Sequence, residues 1–345
     1  MVSPSQLSSR VRYTTLVASA FLCFASVQPL VAQACKLRDI GNLPGADFSL
    51  AHGINNAGQV VGISGTHAFL YEEGGMLDLG TLGGATSAAF GINDRGQVVG
   101  YSDTADGTTH AFVTEDGKMI DLGTLGGASS YAYGINNRGQ VVGQSQTATG
   151  EPHAFLYDHG VMTDLGTLPG GTSSIGYRIN ERGQIAGSSY VSATEFHAFK
   201  FARGVMHDLG TAPGDVNSEA FGLNEAGVVV GYSASADGLT ATGFVRKYGL
   251  TADLGTLGGT QSFASDINEK GKIIGYSTNE SGKFHAVRFK NQEPVDLGVF
   301  KGGEQSFALA MNEFNQVVGY GTTSKGASHA FICSPRVLHA DKDGD

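Results

Sequence analysis

The sequence predicts an all-β fold: a seven-bladed β-propeller of four-stranded antiparallel blades, with the N-terminal strand completing the last blade. A unit of about 43 residues recurs seven times between Cys35 and Cys333, and a period of about 40–50 residues made of short strands is typical of radial β arrays. Glycine supplies 52 of the 345 residues without a collagen period, which fits many tight turns. The unit boundaries are also offset from the chain ends, as closure by both termini requires.

Each unit carries three landmarks. A DLG triplet, DIG in the first copy, begins at Asp39, Asp78, Asp121, Asp164, Asp208, Asp253 and Asp296. A HAF triplet or a variant of it begins at His67, His110, His153, His197, Thr242, His285 and His329. An Asn-x-x-Gly turn begins at Asn55, Asn93, Asn136, Asn180, Asn224 and Asn268, and Asn312 opens the seventh turn. These landmarks decide the architecture, but they name no ligand.

The unit that begins at Gly83 illustrates the four strands. Small and apolar residues 87–92 form the first strand, and a turn leads to the β-branched second strand, 97–101. The third strand covers 110–113, and a hairpin leads to the fourth, 119–122. The last turn position is Gly in six units and Asn315 in the seventh, as expected where the backbone is left-handed.

The two ends of the array together make one blade. The DIG at Asp39 has no HAF before it, and the HAF at His329 has no DLG after it, so strand 36–40 should complete the last blade. Cys35 and Cys333 then lie where the closing hairpin lacks its covalent turn, and we predict a disulfide between them. On the chain-entropy model, a bridge across roughly 300 residues stabilises the fold by about 4–5 kcal/mol.

The first 34 residues differ in composition from the rest. A basic start precedes an apolar run over 16–27, and Ala32-Gln33-Ala34 forms an A-x-A cleavage site. We predict a secretory signal peptide over 1–34, a propeller over 35–334 and an acidic disordered tail over 335–345. The apolar run is short for a membrane span, and no other segment is a candidate for one after cleavage.

An alternative for the mature N-terminus is lipidation of Cys35. That modification needs a Leu-like residue three places upstream and a small residue two places upstream, where the chain has Ala32 and Gln33. Lipidation would also leave Cys333 unpaired. The disulfide is therefore the preferred interpretation.

The recurring segments DLGTLGG, x-A-x-GIN-x-x-GQVVG and HAF resemble the bacterial HAF repeat family of extracellular repeat proteins. The likeness covers almost the whole mature chain, with departures at 242–244, 265–268 and 285–287. The resemblance implies an exported repeat protein and brings no reaction or ligand with it. Kelch and WD40 propellers have similar repeat lengths but rely on Trp, which this chain lacks.

The histidines of HAF and the aspartates of DLG are the most regularly repeated ionisable residues. Equivalent residues of different blades should lie too far apart to share one metal ion. The Phe of HAF faces the same side as the His and should pack between blades, so the His needs a partner, for which the Asp of DLG is the candidate. We therefore predict structural roles for His67, His110, His153, His197, His285, His329, Asp78, Asp121, Asp164, Asp208, Asp253 and Asp296.

The loops between second and third strands vary most among the units. They should share one face of the molecule, called here the loop face, with the DLGTLGG segments, because both connect the same strand ends. Variable loops on a rigid scaffold are where recognition is usually built. The candidate binding residues are Asp103, Asp106, Glu151, Tyr190, Glu195 and Asp237, and plain solvated loops are the alternative.

The sequence offers no candidate catalytic residue. It has no nucleophile elbow, HExxH motif or phosphate loop, no repeat is broken by a set of unusual polar residues, and no two carboxylates stand out as a glycosidase pair. We expect no metal or cofactor. Calcium is the one ion considered, because tail 341–345 resembles the start of a calcium loop but lacks its closing Glu.

The net charge and the predicted compartment limit which classes of partner are expected. The net charge of −10, without a basic cluster, argues against nucleic acid. We predict a secreted monomer that acts as a non-enzymatic binding or adhesion module, with surface polysaccharide or an exported or cell-surface protein as its partner. A secreted enzyme acting on polysaccharide or glycoconjugates and a structural envelope or matrix protein are the alternatives.

Overall fold

The computed structural model describes residues 35–335. The predicted signal peptide and all but one residue of the predicted tail lie outside the described residues. Between 35 and 335 the chain forms β-strands and no helix, which confirms the all-β prediction. This part of the chain accordingly contains no helix of the length and apolarity that a bilayer crossing needs.

The strands form seven antiparallel groups of four, called units 1–7. Unit 1 contains β2 (Ser49–Ile54), β3 (Val60–Ser64), β4 (His67–Glu72) and β5 (Gly75–Asp78). Unit 2 contains β6 (Gly83–Ile92), β7 (Val98–Thr104), β8 (Thr109–Glu115) and β9 (Lys118–Asp121). Unit 3 contains β10 (Gly126–Ile135), β11 (Val141–Thr147), β12 (Pro152–Asp158) and β13 (Val161–Asp164).

The remaining units follow the same order. Unit 4 contains β14 (Ser174–Ile179), β15 (Ile185–Tyr190), β16 (Phe196–Ala202) and β17 (Val205–Gly210). Unit 5 contains β18 (Asn217–Leu223), β19 (Val229–Ala234), β20 (Ala241–Lys247) and β21 (Leu250–Asp253). Unit 6 contains β22 (Gly258–Ile267), β23 (Ile273–Asn279), β24 (Phe284–Lys290) and β25 (Glu293–Gly298). Unit 7 contains β26 (Ser306–Met311), β27 (Val317–Thr322), β28 (Ser328–Cys333) and β1 (Arg38–Asp39).

The hydrophobic core lies between neighbouring units. Phe112 of unit 2 is fully buried and packs with Val61 and Ala68 of unit 1, and burial of one such side chain contributes about 1.5–3 kcal/mol. Equivalent, fully buried phenylalanines are Phe69, Phe155, Phe199 and Phe331. The HAF phenylalanines thus lie where units meet, on strands whose central residues are buried consecutively.

The last position of each GQVVG segment must be glycine, because the backbone of the adjacent strand lies too close for a side chain. A Cβ on Gly100 would lie 1.9 Å from the carbonyl oxygen of Ala88 on the adjacent strand. The same position is Gly in all seven units, at Gly62, Gly100, Gly143, Gly187, Gly231, Gly275 and Gly319. Any side chain there would push the first and second strands of a unit apart.

The two chain ends meet in unit 7. Strand β1 pairs antiparallel with β28, with Asp39 opposite Phe331. A disulfide joins Cys35 to Cys333 with a Cα–Cα distance of 5.6 Å, which confirms the predicted pairing. Unit 7 also reaches unit 1, because the backbone N–H of Ala330 donates to Ser49 Oγ at 2.9 Å.

The sheets do not merge into one closed sheet. A single parallel bridge, Ser129 to Thr109, joins units 2 and 3, and another, Ala241 to Gln261, joins units 5 and 6. The other units keep separate four-stranded sheets. Contact between units therefore rests on side-chain packing and on the hydrogen bonds described below.

Candidate functional site

The histidines of HAF lie beside the aspartates of DLG. In six units the imidazole Nδ1 is 2.7–2.9 Å from the nearest carboxylate oxygen. The pairs are His67–Asp78, His110–Asp121, His153–Asp164, His197–Asp208, His285–Asp296 and His329–Asp39. In unit 5 Thr242 stands where the other units have His, opposite Ser233. Each pair links the third and fourth strands of one unit.

These pairs stay within their units. The last pair joins the two chain ends, because Asp39 belongs to β1 and His329 to β28. Over residues 35–335 no group of three or more His, Cys, Asp or Glu side chains is placed to hold a metal ion. The arrangement therefore provides local cross-links between strands.

The loop-face aspartates are bonded within their own unit, Asp106 inside its loop and Asp103 also to Thr86 on the first strand. Asp103 accepts hydrogen bonds from the hydroxyls of Thr86 at 2.7 Å and Thr109 at 2.9 Å. Asp106 accepts from the hydroxyls of Thr104 and Thr108, and these bonds lower the pKa of Asp106 to about 2.

The other predicted binding residues behave in the same way. Asp237 accepts from the Ser235 hydroxyl at 2.7 Å, and Glu151 accepts from the Thr149 hydroxyl. The backbone N–H of Glu195 donates to Ser192 Oγ at 3.1 Å. The Tyr190 ring packs on Phe196 with a centroid distance of 5.7 Å. These six residues are spread over units 2–5, and each makes these contacts locally.

A central cavity is lined by the first strands of all seven units. Its volume is ≈ 200 Å³. The wall residues occupy the same position in each unit, the x of the A-x-GIN segment, and are His52, Phe90, Tyr133, Tyr177, Phe221, Ser265 and Leu309. The first strands are therefore the inner strands of the molecule.

A β-bulge directs these residues into the central cavity. In unit 2, Ala89 pairs with Gly100 and Gly91 pairs with Val99, so Phe90 between them is left out of the ladder. The same register shift occurs at the equivalent residue of every unit. Bulges commonly re-aim one side chain in this way.

The wall of the central cavity is mostly aromatic. Ring centroids are 5.2 Å apart for Phe90 and Tyr133, 5.6 Å for Tyr133 and Tyr177, and 5.2 Å for Tyr177 and Phe221. Neighbouring rings are tilted or edge-on, the geometry that aromatic pairs prefer. Four consecutive units thus supply a continuous aromatic surface.

Glu219 is the carboxyl group beside this surface. It lies on β18 two residues before Phe221, and it accepts a hydrogen bond from the Tyr177 hydroxyl at 3.3 Å. Desolvation raises the pKa of Glu219 to about 7. The other units have apolar or aromatic residues here, at Leu50, Ala88, Tyr131, Ile175, Phe263 and Phe307.

An ion pair lies next to the aromatic wall. Arg178 Nη2 of unit 4 is 3.1 Å from Asp266 Oδ1 of unit 6, so the pair passes over unit 5. Asp266 also accepts the backbone N–H of Met311 at 3.0 Å. Most units have Gly at this position, at Gly53, Gly91, Gly134 and Gly222.

Hydrogen bonds between the Asn turns connect consecutive units in a cycle. The Nδ2 of each leading Asn donates to the backbone carbonyl of its counterpart in the next unit, at 3.0–3.4 Å. The series runs Asn55, Asn93, Asn136, Asn180, Asn224, Asn268 and Asn312, and Asn312 donates to Asn55. The end of the molecule that carries these turns is called here the turn face.

A second cycle lies beside the first on the turn face. The residue after each Asn accepts a backbone N–H from the preceding unit at 2.5–3.0 Å. The residues are Asn56, Asp94, Asn137, Glu181, Glu225, Glu269 and Glu313. They border a cavity of ≈ 360 Å³ that shares no lining residue with the central cavity. The carboxylates here are engaged by backbone donors.

The central cavity does not follow from the regular repeat of the sequence. Four residues break the repeat there: Arg178 and Ser265 line the cavity. Asp266 pairs with Arg178, and Glu219 accepts a hydrogen bond from Tyr177, which also lines it. Asp266 was noticed only as a departure from the motif. Alignment of the seven units position by position would have revealed Arg178 at a Gly position and Glu219 at an apolar one.

Comparison with known proteins supports the fold and leaves the activity open. Residues 82–168 match a family described as a protein of unknown function (DUF3466). None of the curated proteins compared with the chain resembles it in sequence. The match to DUF3466 spans about a quarter of the chain, so it indicates similarity over units 2 and 3.

Several solved structures share the architecture. A protein described as TolB from Agrobacterium tumefaciens is 11% identical with a TM-score of 0.52, over 88% of this chain and 95% of that one. The extracellular domain of a hybrid two-component system from B. thetaiotaomicron is 10% identical with a TM-score of 0.54, over 88% of this chain but 40% of that one. A puromycin-hydrolyzing peptidase from Mycobacterium tuberculosis is 12% identical with a TM-score of 0.54, over 91% of this chain but 54% of that one. At this identity the likeness shows a propeller-like fold only.

Proposed function

We propose that the chain is an exported, non-enzymatic binding module that recognises polysaccharide or another exported protein through its loop face. The observation that carries the proposal is the internal bonding of the loop-face side chains, illustrated by Asp103, Asp106 and Asp237. Such loops are held in shape before any partner arrives, and preorganisation of this kind favours binding.

The architecture in this proposal is a seven-bladed propeller of the HAF repeat type. Its support is the seven groups of four strands, the pairing of β1 with β28, and the Asn cycle that returns from Asn312 to Asn55. Export is supported by the Cys35–Cys333 disulfide, since disulfides persist in oxidising compartments. The seven-bladed architecture and the export of the chain are both parts of this proposal.

The charge arrangement favours binding over hydrolysis. Glycoside hydrolysis needs two carboxyl groups across one cleft. Glu219 is one carboxyl beside the central cavity, and the nearby Asp266 is held by Arg178. The carboxylates of Asp106, Glu151 and Asp237 accept hydrogen bonds within their own loops, so they act as positioning groups for these loops.

The first experiment is a glycan and polysaccharide array with the protein, run with calcium and with chelator. We expect weak, selective binding, and Tyr190→Ala should weaken it roughly fivefold or more, because exposed aromatic residues dominate many interfaces. Tyr248→Ala is the matched control, since Tyr248 is 86% exposed on a third-to-fourth-strand hairpin at the opposite end of its unit. Loss with chelator would indicate a calcium requirement.

A blank array would contradict the polysaccharide part of the proposal. Pull-down from the native cell envelope, with Tyr190→Ala and Tyr248→Ala as paired baits, then tests the exported-protein part. A partner retained equally by both variants would place the contact away from the Tyr190 loop, and no partner at all would contradict the binding function.

A further inference from the structure

We propose that the central cavity binds a small organic cation, a protonated amine carried on a group about the size of one six-membered ring. This site is separate from the loop face, and it stands whether or not the loop-face proposal does. Four features lead to this ligand class. They are the aromatic wall of the cavity, an engaged arginine and an unpartnered hydroxyl in that wall, and a carboxyl beside the wall that has no cationic partner.

The aromatic wall suits a cation with an apolar body. Phe90, Tyr133, Tyr177 and Phe221 form a continuous surface around a space of ≈ 200 Å³. Aromatic faces attract ammonium groups, and the attraction is stronger where water is excluded. A ring-sized ligand matches a space of this volume, which is small compared with drug-sized pockets.

The carboxyl of Glu219 lacks a positive partner. Among the hydrogen bonds and ion pairs of residues 35–335, its partner is the Tyr177 hydroxyl, a neutral donor. Tyr177 contacts both residues, since its hydroxyl donates to Glu219 and its ring packs on Phe221 at 5.2 Å, so Glu219 lies beside the aromatic wall. A buried carboxylate without a cation is unfavourable, so a bound ammonium would stabilise its charged form.

The positive groups of the central cavity are already engaged or neutral. Arg178 is paired with Asp266 at 3.1 Å. Desolvation lowers the pKa of His52, which donates from Nδ1 to the carbonyl of Ala89. The other titratable groups around Glu219 are the hydroxyls of Tyr133, Tyr177, Tyr232 and Tyr276, whose pKa values burial raises. The charge that the site lacks is therefore positive.

Ser265 provides both space and an acceptor. It stands in the wall where other units have an aromatic ring, His or Leu, so it leaves a gap beside Phe221. Ser265 is 8% exposed, and its Oγ has no hydrogen-bond partner in the described chain. Buried hydroxyls usually have partners, and an N–H of the ligand would supply this one.

A neutral sugar and an anion fit less well. A sugar presents many hydroxyls, which a largely aromatic wall would leave without partners. An anion would meet the carboxyl of Glu219, while Arg178 is held by Asp266. An amine satisfies both Glu219 and Ser265 and leaves its apolar body against the rings.

The test is calorimetric titration of the protein with benzylammonium and cyclohexylammonium, and with benzyl alcohol and cyclohexanol as uncharged controls of the same shape. We expect at least one amine to bind roughly 20-fold or more tightly than its alcohol, a difference that one well-placed charge pair can supply. Equal binding of amine and alcohol, or no binding of either amine, would overturn the proposal.

Two variants locate the site. Glu219→Gln should remove the preference for the amine and leave the alcohol unchanged, whereas Glu181→Gln, on the turn face, should change neither. Ser265→Phe fills the gap with a residue that other units carry and should block every ligand, with thermal unfolding as the check of folding. Amine binding that survives Glu219→Gln or Ser265→Phe in a folded protein would contradict the assignment.

For the unchanged protein, amine affinity should fall as the pH decreases through about 7 and Glu219 takes up a proton.

Discussion

Glu219 illustrates how one residue changes character with its surroundings. Glu219 lies among tyrosines of units 3–6. Burial there removes water from its carboxylate, which disfavours the charged form and raises its pKa. The folded protein therefore holds a proton on Glu219 at a pH where the unfolded chain has released it. This difference links stability to pH.

The first prediction concerns that link. The pKa of Glu219 rises from an ordinary 4.5 to about 7, so the folded state binds the extra proton between these values. Its contribution to the free energy of unfolding should thus fall as pH rises from about 4.5 to 7, by on the order of 3 kcal/mol. Glu219→Gln should flatten this part of the profile in urea unfolding. Glu72→Gln, at an exposed hairpin, serves as control, and equal profiles for both variants would disprove the effect.

The second prediction concerns the Arg178–Asp266 pair. Arg178→Met removes the positive charge and leaves Asp266 partly buried beside the aromatic wall. We expect a loss of about 2–4 kcal/mol in the free energy of unfolding, because breaking a buried pair exposes the desolvation cost of the remaining charge. Arg182→Met is the matched control, since Arg182 is exposed and 3.8 Å from Glu225, and it should cost less than about 0.5 kcal/mol.

A double variant separates the pair from other effects. Arg178→Gly with Asp266→Gly restores the residue found at this position in units 1, 2, 3 and 5. Its cost should be smaller than the sum of the single changes, as expected for residues in contact. Additive costs would show that the two side chains act independently.

At the scale of elements, the Asn turn shapes its own unit and also connects it to the next. Asn136 Oδ1 accepts the backbone N–H groups of Arg138 at 3.1 Å and Gln140 at 3.0 Å. Its Nδ2 donates to the carbonyl of Asn180 in the next unit at 3.0 Å. The first role is typical of Asn in turns and follows from the residue type alone. The second depends on the position of another unit and could not be predicted.

The third prediction tests this double role. Asn136→Ala leaves several buried backbone groups without partners, so the free energy of unfolding should fall by about 2–4 kcal/mol. Asn137→Ala, next along the chain and exposed, is the control and should cost less than about 1 kcal/mol. Similar costs for the two variants in chemical denaturation would argue that the buried hydrogen bonds contribute little.

The strands were predicted from the sequence, but the β-bulges within them were not. Strand order and hairpins followed from alternation and turn residues, and the observed strands of unit 2 cover the predicted ones except for Gln97 and Leu122. The extra residue at Phe90 was assigned to the strand as an ordinary member, because a bulge leaves composition unchanged. The central cavity depends on that displacement, which explains why the site was missed while the strands were found.

At the scale of the whole molecule, several contacts join the two ends of the described chain in unit 7. Strand β1, the His329–Asp39 pair and the Cys35–Cys333 disulfide all bring residues 35–39 to unit 7. Units 7 and 1 also share the Asn312 to Asn55 hydrogen bond at 3.0 Å. Removal of the covalent link should therefore weaken the array as a whole.

The fourth prediction concerns the disulfide. Cys35→Ser, Cys333→Ser and the double variant should all lose the same stability, up to about 4–5 kcal/mol, because each removes one cross-link that restricts the unfolded chain. Thermal unfolding with and without reductant provides the measurement. Reductant should lower the melting temperature of the unchanged protein to that of the variants and leave the variants unchanged. A reductant effect on the double variant would point to another cause.

The amino-acid sequence by itself determined the all-β class, the seven units, the strand order and the cysteine pair, because each rests on local patterns that repeat along the chain. The spacing of DLG and HAF also indicated that Asp and His of one unit would be neighbours. Only the tertiary structure decided what the units enclose. Glu219, Arg178, Ser265 and Asp266 come from units 4, 5 and 6, as much as 88 residues apart in the sequence. They come together only because the inner strands of these units line one cavity.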